Sequence, residues 1–256
     1  AMGQLLSDMG AFFTPMLYAI EEREMILDLF EMASGSRMMC NYMRFGGLVR
    51  DVPPEFMPIA NELASNRLPR AIDNFNNLIE TNEIVLMRAQ NICVISAEQA
   101  VSMSLAGPML RASGVPYDLR KIDRYSIYDR FDFDVPVGTK GDVYDRYLVR
   151  IAEMRESCKI LQQALKQIPE GAIYAGPKGW QVKVPKGEWY GRIEGPKGEL
   201  GYYCVSEGGT NPYRYHVRAP SFINLTALGP MVKGHKIADA VACLGSIDIV
   251  LGETDR

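Results

Sequence analysis

Residues 142–167, DVYDRYLVRIAEMRESCKILQQALKQ, decide the fold class. Tyr144, Tyr147, Leu148, Ile151, Met154, Cys158, Leu161 and Leu165 recur by threes and fours, the period of one helix face. Arg146, Arg150 and Glu153 give opposite-charge spacing on another face. The pattern predicts a helix from about Asp142 to Gln167, stopped by Pro169-Glu170-Gly171.

Upstream the helical period continues in shorter pieces. Gln4 to Phe13 is apolar and small, with Asp8 alone among Leu5, Leu6, Met9 and Phe12. Gly3 to Ser7 reads as the later part of a helix, so the chain is expected to lack an upstream region. Thr14-Pro15 restarts the chain, and Pro15 suits the first turn of a helix that is expected to run to Ala33 and end at Gly35. The Met- and Arg-rich Ser36–Asp51 is broken by Gly46-Gly47. Pro53-Pro54 opens another helix, which Pro69 interrupts and Ile72, Phe75 and Leu78 resume. Short helices are expected at Glu83–Gln90 and Ser96–Ser104, and Tyr125–Val137 reads as an extended stretch or a loop.

Downstream the composition shifts. Pro-Lys-Gly occurs at Pro177, Pro185 and Pro196, a turn signal in which proline presets the backbone. The β-prone runs Trp189–Glu194, Leu200–Ser206 and Tyr213–Val217 predict a small antiparallel meander. Ser221 is expected to cap a short helix. The tail, KIADAVACLGSIDIVLGETDR over 236–256, holds Val241, Leu244, Ile247, Ile249, Val250 and Leu251 around an isolated Asp248. So apolar an end is expected to be buried, and a buried carboxylate needs a partner. Asp255-Arg256 could form an ion pair at the terminus.

The totals exclude several functions. With 28 basic and 31 acidic residues well mixed, the net charge is -3, which gives no electrostatic footprint for nucleic acid. Five scattered cysteines without a C-x-x-C read as reduced, small buried hydrophobes. His216 and His235 are the only histidines, too few for a histidine-rich metal site or a Ser-His-Asp triad. No apolar run reaches the length of a membrane span. Gly46-Gly47, Gly107-Pro108 and Gly208-Gly209 match no phosphate-loop pattern and read as turns. Met38-Met39-Cys40 reads as core filling rather than soft-metal ligation. Asp8 and Asp248 stand out, because each sits among apolar neighbours.

Seven runs occur together: SDMGAFFTPMLYAIEEREMILDLFE, GSRMMCNYMRFGGLVRDVP, GPMLRASGVPYDLRK, RYLVRIAEMRESCKILQQAL, PKGELGYYCVSEGGTNPYR, VRAPSFINL and LGSIDIVLGETDR. In content and order they resemble the D-type, or 49-kDa-type, subunit family of proton-pumping NADH-quinone oxidoreductase (respiratory complex I), along essentially the whole chain. The resemblance implies an α+β, predominantly α fold, a helical core like that of the nickel-iron hydrogenase large subunit with a small antiparallel sheet near the C-terminal third. It also implies one domain over 1–256, made of a helical part (1–170), a β meander (171–219) and a buried C-terminal segment (220–256), with the family's first third absent.

By the same resemblance, Val250 and Glu253 stand where hydrogenase has nickel-binding thiolates, so this pair holds no metal. Asp8, Leu17, Asp248 and Val250 match positions lining the cavity in which quinone is reduced. Met39 and Arg44 match positions facing the terminal iron-sulfur cluster of a neighbouring subunit. Met39 replaces a histidine of many members. The implied function is electron transfer from NADH to quinone within a translocating membrane complex, the isolated fragment being inactive. No cofactor is expected on this chain, since NAD(H), FMN and the iron-sulfur clusters belong to other subunits. The implied partners are the B-type iron-sulfur subunit, the C-type subunit, the H-type membrane subunit and the I-type subunit, on the cytoplasmic side of the bacterial plasma membrane. A plastoquinone-linked complex, a hydrogenase-type large subunit and a non-catalytic scaffold are the alternatives.

Overall fold

The computed structural model describes residues 1–11, 13–175 and 182–255. Phe12, the Pro-Lys-Gly turn at Pro177 and the expected Asp255-Arg256 ion pair therefore lie outside the described residues. Helices take about 52% and strands 11%, the α-dominated α+β class that the sequence predicts.

The chain starts with α1 (Met2–Leu6), which runs into a π-helical turn at Ser7–Ala11 and kinks at Gly10. Helix α2 (Thr14–Ser34) has Pro15 in its first turn and ends where Gly35 turns left-handed, its N–H donating to Glu31 O at 2.8 Å. Strands β1 (Met43–Arg44) and β2 (Gly47–Leu48) form a hairpin whose two-residue turn is Phe45-Gly46. Next come α3 (Phe56–Glu62), a π-helical turn (Leu63–Arg67) and α4 (Leu68–Ile79). Pro69 lacks an N–H, and the preceding π turn absorbs the missing helical bond, so the interruption expected there is a local rewinding rather than a break.

Helices α5 (Glu83–Ala89), α6 (Ala97–Ser102), α7 (Pro108–Ala112) and α8 (Leu119–Ile122) follow, each short. Asn82 caps α5 through Ile84 and Val85 N–H, and Ser96 with Gln99 closes a capping box on α6. Tyr125–Val137 contains a 3-10 turn at Tyr128–Arg130 and no strand.

Helix α9 (Val143–Lys166) is the predicted central helix. Its buried N-cap, Asp142, accepts from the N–H of Asp145 and of Asn91, both at 2.8 Å, and so also anchors the loop after α5. Asp142→Ala leaves two N–H groups without an acceptor in the core. It is expected to lower stability by about 2 kcal/mol, read as a shifted urea midpoint, with Asp142→Asn losing less. The charge-bearing face differs from expectation. Arg146 and Arg150 are buried, at 0% and 7% exposure, and Glu153 pairs instead with Arg111 at 2.5 Å. Periodicity identifies a helix but cannot show that neighbouring elements cover its second face.

The sheet is β3 (Gly187–Gly195), β4 (Gly198–Ser206) and β5 (Arg214–Arg218), antiparallel in that order. Gly195 pairs with Gly198, so Pro196-Lys197 is the two-residue turn of the first hairpin. The last elements are α10 (Pro220–Leu225), α11 (Leu228–Val232), α12 (Ile237–Ile247) and α13 (Leu251–Thr254). Ala219 rather than Ser221 caps α10, because Pro220 takes the first helical position and moves Ser221 inside the first turn. The core joins α1, the π turn after it, α5, α9 and α12 through Leu5, Leu6, Met9, Val85, Tyr147, Ile151 and Ile247.

The tail is buried on one face only. Ala242, Cys243, Ser246 and Ile247 are inaccessible, while Val241, Leu244, Val250 and Leu251 face solvent. Helix α12 has an apolar second face for which the described chain provides no cover.

Candidate functional site

Helix α12 stops because Asp248 turns left-handed, at φ 63° and ψ 60°. Aspartate tolerates that region better than most side chains. The turn points its carboxylate at two cations. Lys197 Nζ donates to Asp248 Oδ2, and Arg150 Nε stands 3.8 Å from the same oxygen. The carboxylate is 13% exposed, Lys197 18% and Arg150 9%, so the group is largely withdrawn from water. Burial pushes the Arg150 guanidinium down and Asp248 beside it opposes that shift. Arg150 also donates to Ile247 O at 3.2 Å, which fixes the last turn of α12 to α9.

Lys197 reaches Asp248 from the tip of the β3–β4 hairpin, which is itself held in place. The buried Asn224 of α10 donates to Lys197 O at 3.1 Å and to Ala106 O at 3.2 Å. Its Oδ1 accepts from Ala106 N–H at 3.0 Å. Arg218 donates to Glu199 O at 2.6 Å and to Ser104 O at 3.1 Å.

Asp8 lies on the π turn against α12. A Cβ on Gly245 would come within 3.2 Å of Asp8 Oδ2, so the two aspartates meet the same helix three residues apart. Asp8 is half-buried rather than sealed, and Gln4 donates to it at 3.0 Å. The π turn lifts its side chain out of the apolar face that the sequence pattern suggests.

Ser221 organises the segment beyond Asp248. Its hydroxyl donates to Glu253 Oε1 and accepts from Val250 N–H at 3.0 Å, and its own N–H donates to Glu253 Oε1 at 3.2 Å. The two positions that resemble thiolate sites are thus tied to one hydroxyl. Val250 offers no donor atom to a metal, and the Glu253 carboxylate is occupied. Among the described residues no three His, Cys, Asp or Glu side chains come together as a ligand set. Ser221→Ala orphans the Val250 N–H and removes one of the two donors to Glu253 Oε1, the backbone N–H of residue 221 remaining. Faster amide exchange at Val250 and Thr254 is the expected result, from about 1–2 kcal/mol of lost local stability, with α9 unchanged.

The remaining site residues lie further out. Leu17 is 64% exposed on α2 and Val250 45% exposed. Met39 is 96% exposed in a left-handed conformation, φ 56°, and Arg44 is exposed on β1. A groove of about 630 Å³ between α2, α4 and α9 is lined by Tyr18, Ile26, Phe75 and Met154 and contains none of the four pocket positions. A second groove, about 540 Å³, runs between α2 and residues 37–43 and includes Met39. The structure therefore brings Asp8 and Asp248 to one helix end, and leaves Leu17, Met39 and Arg44 on open surface.

Comparison with known proteins adds the family. The profile described as respiratory-chain NADH dehydrogenase, 49 Kd subunit, matches residues 8–181 and 178–256. The chain belongs to that family. The NADH-quinone oxidoreductase D subunit 1 of Roseiflexus sp. is 56% identical over 263 residues, covering 100% of this chain and 70% of the relative. The D subunit 2 of the same enzyme in Herpetosiphon aurantiacus is 57% identical over 259 residues, with the same coverage. The NAD(P)H-quinone oxidoreductase H subunit 1 of Gloeobacter violaceus is 45% identical over 278 residues, again covering 100% and 70%. The chain is a subunit of an oxidoreductase complex, and none of the described helices is long and apolar enough to cross a membrane.

Sequence reasoning missed Lys197, Arg150, Ser221 and Asn224 as parts of this arrangement. Lys197 reads as a turn residue and Arg150 as a helix charge, and nothing local links either to Asp248. The one available signal was Asp248 itself, a carboxylate in an apolar tail that had to find cations somewhere.

Proposed function

We propose that this chain forms one wall of the site where a quinone is reduced, as part of an NADH:quinone oxidoreductase that couples the reaction to translocation. Asp8 and Asp248 are the ionisable groups of that wall, and Leu17 and Val250 supply apolar surface for the ring. Quinone reduction takes up two electrons and two protons, so the site needs an apolar slot with a few proton-handling groups. The observation that carries this reading is the meeting of Asp8 and the Lys197–Asp248–Arg150 cluster at one end of α12.

Met39 and Arg44 face an iron-sulfur subunit in this reading. Met38, Met39, Met43 and Phe45 are each more than half exposed along that segment, an apolar surface suited to a protein partner. Methionine at position 39 has no proton to exchange near neutral pH, unlike histidine, so electron transfer there is not tied to protonation of that side chain. NAD(H), FMN and the clusters reside in partner subunits. This chain contacts the B-type, C-type, H-type and I-type partners, and the assembly sits on the cytoplasmic side of the membrane.

Enlarging Val250 tests the wall directly. In the assembled complex, Val250→Phe is expected to raise the KM for a short-chain quinone about tenfold, because overfilling a close-packed slot costs roughly 1–3 kcal/mol. NADH:ferricyanide activity, which bypasses quinone, should be unchanged. An unaltered quinone KM in an assembled complex removes Val250 from the site.

A further inference from the structure

Arg111 of α7 is 2% exposed, and its guanidinium fork reaches two other elements. Nε donates to Glu153 Oε1 of α9 at 2.5 Å, while Nη1 donates to Glu194 Oε1 of β3 at 2.8 Å and to Tyr117 O at 2.9 Å. The Glu194 side chain is 4% exposed and that of Glu153 18%, so the three charges are largely withdrawn from water. The other Glu194 oxygen accepts from Leu119 N–H at 3.1 Å. Across the hairpin Glu194 pairs with Glu199, also buried, whose carboxylate accepts from the hydroxyls of Tyr117 at 2.9 Å and Tyr190 at 3.1 Å. Like charges directly opposed on a sheet repel, so each carboxylate depends on the donors it has found.

These links stand at matched distances from Asp248. Glu153 follows Arg150 by one turn of α9, and Glu194 precedes Lys197 by three residues at the root of the β3–β4 turn. Arg150 and Lys197 are the two cations that meet Asp248. Asp248, Arg150, Glu153, Arg111, Glu194 and Lys197 therefore close a ring of alternating charge, three negative and three positive, in which Arg111 and Asp248 are opposite bridges between α9 and the hairpin. Helix α7 is itself seated on the hairpin, since Arg111 N–H donates at 3.0 Å to the carbonyl of Gly107, which abuts the tip at Lys197 and Gly198. A buried ion triad brings little net stability, because desolvation offsets the attraction. What the fork supplies is geometry, because its planar donors hold both carboxylates in fixed directions.

We propose that Arg111 is a positioning residue for quinone reduction. Through Glu153 and Glu194 it fixes the separation of Arg150 and Lys197, and so the place and the hydrogen bonding of the Asp248 carboxylate, without touching the substrate. The inference rests on the reading of Asp248 as a proton-handling group of the quinone wall. Loss of the fork frees the hairpin to shift against α9. Lys197 then moves off Asp248, and the carboxylate is misplaced when a proton has to be passed.

The test is a double-mutant cycle in the assembled complex containing the full-length subunit, read as turnover and KM with NADH and a short-chain quinone, beside NADH:ferricyanide activity. Arg111→Lys keeps the charge, but an ammonium carries its donors on one atom and cannot span Glu153, Glu194 and Tyr117 O as the fork does. It is expected to lower turnover about tenfold, within the range of a small misplacement, with the quinone KM and the ferricyanide activity unchanged. Lys197→Met removes the group through which Arg111 acts. The Arg111→Lys/Lys197→Met double variant should therefore lose no more turnover than Lys197→Met alone, whereas a merely structural brace would add its own loss. Losses that multiply in the double variant, or wild-type turnover in an assembled Arg111→Lys complex, overturn the inference. Glu194→Asp shortens the same link from the hairpin side and takes the place of Arg111→Lys in the cycle where that variant does not assemble. Wild-type turnover in Asp248→Asn would instead remove the wall reading itself, and this inference with it.

Discussion

Asp248→Asn in the assembled complex is expected to lower quinone reductase turnover about 100-fold, the scale of losing a positioned proton-handling group. The amide keeps the size and the left-handed turn at φ 63° but cannot accept or release a proton near neutral pH. Removing the carboxylate also leaves Lys197 and Arg150 facing each other without an anion. Because both cations retain some water contact, the stability cost is placed at about 2–3 kcal/mol, below that of a fully buried pair. Asp248→Ala should lose the same activity and about 1–2 kcal/mol more stability, since alanine carries the full left-handed strain. The pair of variants separates charge from backbone. Turnover measured with NADH and quinone, beside NADH:ferricyanide activity and a thermal melt, reads all three effects.

The second large effect is expected at a residue that carries no side chain. Gly107 opens α7 at φ 67° and ψ -147°, a region closed to other residues, and it abuts the hairpin tip that carries Lys197. A Cβ there would stand 2.6 Å from Lys197 O and 2.7 Å from Gly198 N. Backbone strain of about 1–3 kcal/mol and the collision act together, so Gly107→Ala is expected to lower the melting temperature by roughly 10 °C. The clash pushes the hairpin away from Asn224 and from Asp248, so surviving complex should also turn over slowly. An unchanged melt would mean that the hairpin tip does not rest on Gly107.

Most of the secondary structure is legible because it follows local rules. The period of Tyr144 to Leu165, Pro15 with Gly35, and Pro196-Lys197-Gly198 each announce their element. What escapes the sequence is the long-range placement. Arg146 and Arg150 read as a charged helix face, and only the packing of α12 and of the loop after α5 makes them internal. Ser221 reads as a cap, yet its hydroxyl serves Val250 and Glu253, about thirty residues away. The isolated aspartates were visible, but not their unequal fates. Asp248 is held between two cations, while the π turn at Ser7–Ala11 leaves Asp8 half open. The tail shows the same limit, because apolar content announces burial without saying which face is covered by this chain.

The claim that Asp8 and Asp248 share a quinone-binding wall is tested most directly by photolabelling the intact complex with an azido-quinone and mapping the modified peptides. Labels on 8–17 and on 248–253, both suppressed by excess unlabelled quinone, are the predicted result. Suppressible labelling confined to other segments or other subunits, with neither of these peptides modified, would contradict the account.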